Sequence, residues 1–513
     1  MHPRDLRAPR HRMALLGLSA ALAGLWLTGP AQAQTASDNG TGLTTGARQG
    51  QSSASSSAHT EEREPEDRAG TQNERIGARQ GRASKVQDPR PHFSAPMGSN
   101  HFFGDWGGIQ PWLLDRGIHL LASINEEFAG NVTGGKQRAY SDAGQVGMEL
   151  DVDWEKLAGF RNFWTHMLVV NGHGQNVSRM FGDSIAPVQE IYGARGNVVA
   201  HLVAMYGEQT FYHHRIDISA GVIPVGSFFA ASPLFCDFMN VAICGNPAPN
   251  KYTPGTRDWP SGNIGAVLRV MPTTNSYIMA GLFAVSPHPY NGGISGWALA
   301  QDGLGKISTP VELGWIPEFG RDRLIGHYKL GYAYDNSRYP HLYEDRNGAS
   351  YLESGLPARQ VSGMNSFWLL MDQMIVRNGR GATNGLILLA GAMHDDGQTV
   401  AMRDHVWAGL TETGAAWGRP KDTLGAMVQH FDMSRTVALQ QESALRAGVP
   451  FPTNQWGAVY GVQSHMNVYE LFYSIHLGKA MNLQPDFQYV QRPDATTVFG
   501  DAAVLGVQFT VVL

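Results

Sequence analysis

Residues 145–154, QVGMELDVDW, decide the fold. Val146, Met148, Leu150, Val152 and Trp154 alternate with Gln145, Gly147, Glu149, Asp151 and Asp153. Successive side chains of a strand point to opposite faces, so one face is apolar and the other acidic. A soluble sheet lying on a core shows this pattern. So does a transmembrane barrel, with its apolar face on lipid and its polar face on a lumen. The choice rests on the rest of the chain.

Composition narrows it. Only 16% of the 513 residues are charged, against roughly 25% in soluble domains. There are 61 Gly, 21 Phe, 17 Tyr and 12 Trp. Mean hydropathy is -0.23, too low for a bundle of membrane helices. A barrel dilutes its lipid-facing residues with lumen-facing ones and fits these values, as would a large secreted β protein. The net charge of -5 gives no footprint for nucleic acid.

The first hundred residues read as export and tether. Arg4, Arg7, Arg10 and Arg12 precede an apolar run, 13–27, and Ala31-Gln32-Ala33 forms a cleavage site. Residues 1–33 are therefore expected to be a signal peptide; the run is short of the ~20 residues that span a bilayer. Residues 34–100 are rich in Ser, Gly, Gln, Glu and Arg, with GARQG at 46–50 and again at 77–81. Too little apolar surface is available there to offset ordering entropy. This segment is expected to be a disordered periplasmic extension; a tether to the cell wall or to a periplasmic partner is its functional alternative.

From 101 to 513 the chain is expected to be one all-β domain. Residues 105–116 read as a short helix. Sixteen alternating or apolar runs follow, centred on 117–128, 144–154, 162–171, 198–210, 214–224, 263–271, 276–286, 309–317, 326–335, 365–375, 384–394, 400–412, 423–433, 466–478, 481–491 and 502–513. An even number of strands about ten residues long suits a closed antiparallel transmembrane barrel. Connections 211–213, 272–275, 318–325, 395–399 and 479–480 are short enough for periplasmic turns. Connections 172–197, 225–262, 287–308, 336–364 and 434–465 suit external loops, or a loop folded into the pore.

On this reading the polar faces look inward. They carry Glu127, Glu149, Asp151, Asp153, Glu208, Glu312, Lys329, Asp372, Glu470, Asp486 and Gln488. Plain hydration of the lumen is the bland account of them. The functional account is a constriction that exchanges water for solute hydroxyls, which carboxylates, amides and ammonium groups can bond. The chain has no Ser-His-Asp signature, no HExxH and no phosphate loop. The turn pair His213-His214 reads as ordinary turn residues. Catalysis and a cofactor are not expected. The two cysteines, Cys236 and Cys244, sit in one loop of an exported chain and read as a disulfide, a metal pair being the rival.

The pieces resemble the carbohydrate-selective porins of the OprB type, from Gram-negative outer membranes. They are FFGDWGGIQPWLLDRGI at 102–118, NEEFAGNVTGG at 125–135, VQEIYG at 188–193, SPLFCDFMNVAICGNP at 232–247, PVELGW at 310–315, GHYKLGYAYDNSRY at 326–339 and LQPDFQYVQRP at 483–493. The resemblance implies an outer-membrane barrel with sugars as permeating solutes and lipid around it. It also implies a bridged cysteine loop, and it singles out Glu127 and Glu190, each inside a matching piece. Two departures stand out. Val222 and Ile223 follow Gly221 where the family often has a basic residue, and the chain ends on Leu513 rather than an aromatic. A polysaccharide export or assembly component and a general non-selective pore are the competing functions.

Overall fold

The computed structural model describes residues 101–513, apart from 190, 192–196, 245–246, 250–252, 257–258, 261, 286–295, 298–305, 380–382, 415–417 and 454–457. The expected signal peptide and extension lie outside the described residues, as does Glu190.

Among the described residues, sixteen strands close into one antiparallel ring. The first eight are β1 (Ile118–Thr133), β2 (Tyr140–Asp153), β3 (Phe163–Gly174), β4 (Val198–Phe211), β5 (Ile216–Ile223), β6 (Asn263–Thr273), β7 (Ser276–Ala284) and β8 (Ile307–Trp315). The second eight are β9 (Leu324–Asp345), β10 (Ala358–Arg377), β11 (Gly385–Asp395), β12 (Met402–Thr413), β13 (Thr423–Met433), β14 (His465–Leu477), β15 (Met481–Gln491) and β16 (Ala502–Val512). A two-residue ladder, Glu318–Phe319, pairs with the base of β9 and belongs to a turn. The ring closes where Ser123 of β1 faces Val512 of β16, so no strand edge is left open.

The opening stretch lies in β2 and behaves as its alternation requires. Glu149, Asp151 and Asp153 are buried on the inner face, while Met148 is 44% exposed on the outer one. The same holds around the ring: Leu330, Leu369, Leu471 and Leu505 point outward and are at least half exposed.

One end of the ring carries His101, both chain ends of the barrel and the shorter turns. Helix α1 (Ile109–Asp115) lies there, within the expected 105–116. His101 Nδ1 meets the Leu513 carbonyl at 2.7 Å, and the Phe102 amide donates to Val512. A second helix, α2 (Trp154–Ala158), sits in the neighbouring turn. The other end carries the long loops. Two connections depart from expectation. Residues 395–399 join β11 to β12 at the loop end, not among the short turns. Strand order, not connection length, sets the end. Residues 336–364 are mostly a tall hairpin, because β9 and β10 run far past their neighbours.

The inner face also departs from a purely polar one. Trp368, Leu370, Leu389, Trp407, Met427 and Phe472 all point inward and are nearly inaccessible. The long connection between β5 and β6 enters the barrel and covers them. Its Phe235 meets Trp407 edge-on at 5.7 Å, and its Phe238 meets Phe472 at 5.1 Å. Burying each such ring is worth about 1.5–3 kcal/mol, so an apolar core forms inside the barrel.

Candidate functional site: the barrel interior and its inward loop

The inward loop, 224–262, is held by side chains of strands on several sides. Glu312 on β8 accepts the Ala230 amide at 2.9 Å, the Tyr277 hydroxyl at 2.7 Å and the Trp368 indole N–H at 2.8 Å. Lys329 on β9 donates to the Ala231 carbonyl at 2.5 Å. Across the interior, Glu470 on β14 accepts the Met239 amide at 2.5 Å and the Asn240 amide at 3.3 Å. On β15, Gln484 donates to the Asp237 carbonyl at 2.9 Å, and Gln488 accepts from Asn240 Nδ2 at 2.8 Å. A buried carboxylate receiving backbone N–H groups makes strong, charge-assisted bonds. Cys236 and Cys244 are joined by a disulfide inside this loop.

The sequence-predicted residues fall into groups. Glu312, Lys329, Glu470 and Gln488 hold the loop. Asp486 accepts from Gln488 Nε2 at 2.9 Å, and so stands behind that contact. Asp372 pairs with His327. Asp151 lies 2.6 Å from His166 Nδ1, whose other nitrogen is 3.5 Å from Glu208. Asp153 caps α2, accepting from the amides of Glu155 and Lys156. Glu127 accepts from Gln508 Nε2 at 2.7 Å, and its carbonyl accepts from Gln189 Nε2 at 3.0 Å. Glu149 is buried between Leu121 and Leu168 in register.

Of a second cluster, the sequence points to Glu208 alone. A cavity lies between Phe228 of the inward loop and the wall of β4–β7, lined by Glu208, Asp217, Ser219, Arg269 and Met279. Arg269 pairs with Asp217 at 2.5 Å. The available signal was alternation: Asp217 and Ser219 share a face of β5, and Asp217 faces Arg269 in register.

At the loop end, a second inward segment ties onto the 492–501 connection. The Asp494 amide donates to Asp183 at 3.2 Å, and Ser184 donates to the Asp494 carboxyl. Gln463 Nε2 and the Tyr460 amide also reach that carboxyl, at 3.1 and 3.2 Å. Burial pushes Asp494 up to about 7, and burial raises Asp183 as well. A carboxyl whose pKa is raised by folding favours the protonated folded form. Its contribution is full below about pH 4 and is lost as pH rises through about 7. The amides of 183–186, 188–189 and 494–496 are therefore expected to exchange faster at pH 8 than at pH 5, after correction for intrinsic rates. Asp494→Asn should flatten that difference; equal protection at both pH values in the parent would refute the account.

The model of the carbohydrate-selective porin, OprB family, matches residues 137–513. The chain belongs to that family. Porin B of Pseudomonas aeruginosa is 26% identical over 424 residues, covering 81% of this chain and 91% of that protein. The putative porin QuiX of Acinetobacter baylyi is 23% identical over 415 residues, covering 79% and 91%. The high-pH structure of Pseudomonas putida OprB superposes with a TM-score of 0.73 at 25% identity, over 81% of this chain and 99% of that one. As an OprB-family porin, this is an outer-membrane β-barrel. Its end with the shorter turns faces the periplasm and its loop end faces outward.

Proposed function

We propose that the protein lets carbohydrates diffuse passively into the periplasm, through the barrel lumen beside the inward loop. The inward loop, bonded to wall strands on several sides, is the observation that carries this reading. Inward carboxylates, amides and cationic groups of the wall supply the kinds of donor and acceptor that sugar hydroxyls need. Contacts of this kind are weak and multiple, as conduction requires. Glu127, Glu149, Asp151, Asp153, Asp372 and Glu190 complete the proposed lining. The porin acts without catalysis or cofactor. Residues 1–33 serve as signal peptide, 34–100 as a periplasmic extension open to a partner, and 101–513 as the porin. Liposome swelling with sugars and size-matched amino acids tests the reading. Faster sugar entry supports it; equal rates would make this a general pore.

Charge gives a second test. Glu149, Asp151 and Asp153 rise along one inner face at roughly 7 Å intervals, within a Debye length of about 8 Å. Replacing them with Gln, Asn and Asn is expected to lower cation preference, read as a smaller reversal potential in a salt gradient. The effect rests mainly on Glu149 and Asp151, since Asp153 is engaged by α2. No change would mean that His166 already neutralises the patch.

A further inference from the structure

The inward loop crosses the barrel as a chord. At Ala230 and Ala231 it is bonded to β8 and β9, and at 237–240 to β14 and β15. On one side of the chord, Phe235 and Phe238 fill the sector in front of β12 and β14. Between Phe228 and Cys244 every residue is buried except Pro233, Cys236 and Asp237. All three lie in one short 3-10 turn, Pro233–Asp237, whose Leu234 and Phe235 are buried. The turn therefore has an apolar side on the core and an accessible side on the lumen.

Asp237 is pinned everywhere except at its carboxyl. Its carbonyl accepts from Gln484 Nε2 at 2.9 Å, and Met239 two residues on donates to Glu470. The bond between Cys236 and Cys244 closes a ring of chain around it. Among the described residues no hydrogen bond or ion pair reaches its side chain, and its oxygens are not sealed from the lumen. The charged groups facing it are spent on other contacts. Glu470 of β14 holds two loop amides, and Asp486 of β15 accepts from Gln488. Beside them β13 and β16 present Met427, Gly506 and Gln508 in register, none of them charged. Burial pushes Asp237 up to about 7.

We propose that Asp237 is the selecting charge of the pore: its carboxylate accepts hydrogen bonds from the hydroxyls of neutral sugars and repels sugar acids. This rests on the carbohydrate-porin reading and names the solute class within it. A carboxylate offers two acceptor oxygens, and charge-assisted bonds from hydroxyls are short and strong. A charge fixed beside the path selects solutes by sign, as charged rings do in other channels. The bonded turn keeps this charge at one depth in the lumen. Protonation removes it, so repulsion is full well above pH 7 and fades below it.

The test measures efflux of labelled glucose and labelled gluconate from liposomes holding the full chain. At pH 8.5 the glucose-to-gluconate ratio of the parent should exceed that of Asp237→Asn by about three-fold, the Boltzmann factor for two unit charges roughly 7 Å apart in water. Asp237→Glu should keep most of the parent's ratio. Lowering the pH to 5.5 should bring the parent's ratio down toward that of Asp237→Asn, whose own ratio should stay level. An Asp237→Asn porin with the parent's ratio at pH 8.5 would overturn the proposal. If Asp237→Asn fails to give a folded band without boiling, the parent decides alone: a ratio unchanged between pH 5.5 and 8.5 overturns it equally. Efflux of a size-matched neutral amino acid is read in the same vesicles. Its equality with glucose in the parent would defeat the sugar reading, whereas the glucose-to-gluconate ratio speaks to Asp237.

Discussion

Glu312→Ala combined with Glu470→Ala is expected to unseat the inward loop and widen the channel. Glu312 is fully buried and holds three donors, two of them from the wall and one from the loop backbone. Glu470 holds two loop amides on the opposite side. Each donor left buried without a partner costs about 1–3 kcal/mol. Together the losses rival the stability that keeps a loop in one place. Single-channel conductance in potassium chloride should rise, and the ratio of sugar to size-matched amino acid entry should fall toward one. Each single variant should do less. If the double variant keeps the parent's conductance and ratio, the loop is held by its aromatic core alone, and these carboxylates are not its anchors.

Gly331→Val is expected to be the most damaging single substitution in the wall. Gly331 on β9 lies in register between Glu312 on β8 and Trp368 on β10. The Trp368 indole crosses over it to reach Glu312, and a Cβ at Gly331 would fall within that ring. Overpacking costs about 1–3 kcal/mol or more, and the lost Trp368 bond adds to it. The folded band that migrates anomalously without boiling should weaken, and the urea midpoint should drop. Adding Trp368→Ala removes the clash, so the pair should be less damaging than the sum of the two single variants. Strict additivity would show that Gly331 matters for its backbone and not for the crossing indole.

Strand number, strand sidedness and closure of the ring were legible in the sequence because they follow from short-range alternation. Leu330 against Lys329, or Met148 against Glu149, needs no knowledge of any other segment. The inward course of 224–262 was not legible. Nothing periodic marks it, and its place is set by Glu312 and Lys329 on neighbouring strands and by Glu470 across the barrel, all far along the chain from it. Those same residues read from sequence as lumen hydration, because a lone inward carboxylate looks alike whether it meets water or a backbone amide. Trp368, Trp407 and Phe472 broke the expected polar inner face for the same reason: their cover comes from elsewhere in the chain. The turn at 395–399 is short enough to suggest the periplasmic side, although strand parity decides the side. The cavity at Phe228 joins a loop residue to four strands, a meeting that only the folded chain displays.

The closing pair of strands has a consequence for biogenesis. His101 meets Leu513 across 412 residues of sequence, and Ser123 pairs with Val512. These contacts join the two ends of the barrel's sequence, so the ring cannot be sealed until its last strand has left the translocation machinery. The loop anchors obey the same schedule, since Met239 meets Glu470 across 231 residues. Contacts of such separation carry the largest closure entropy and form late. The channel's plug-like core must therefore settle into a sheet that is still open, or into a ring newly shut. During that interval Phe235 and Phe238 have no cover, which exposes the half-built pore to aggregation.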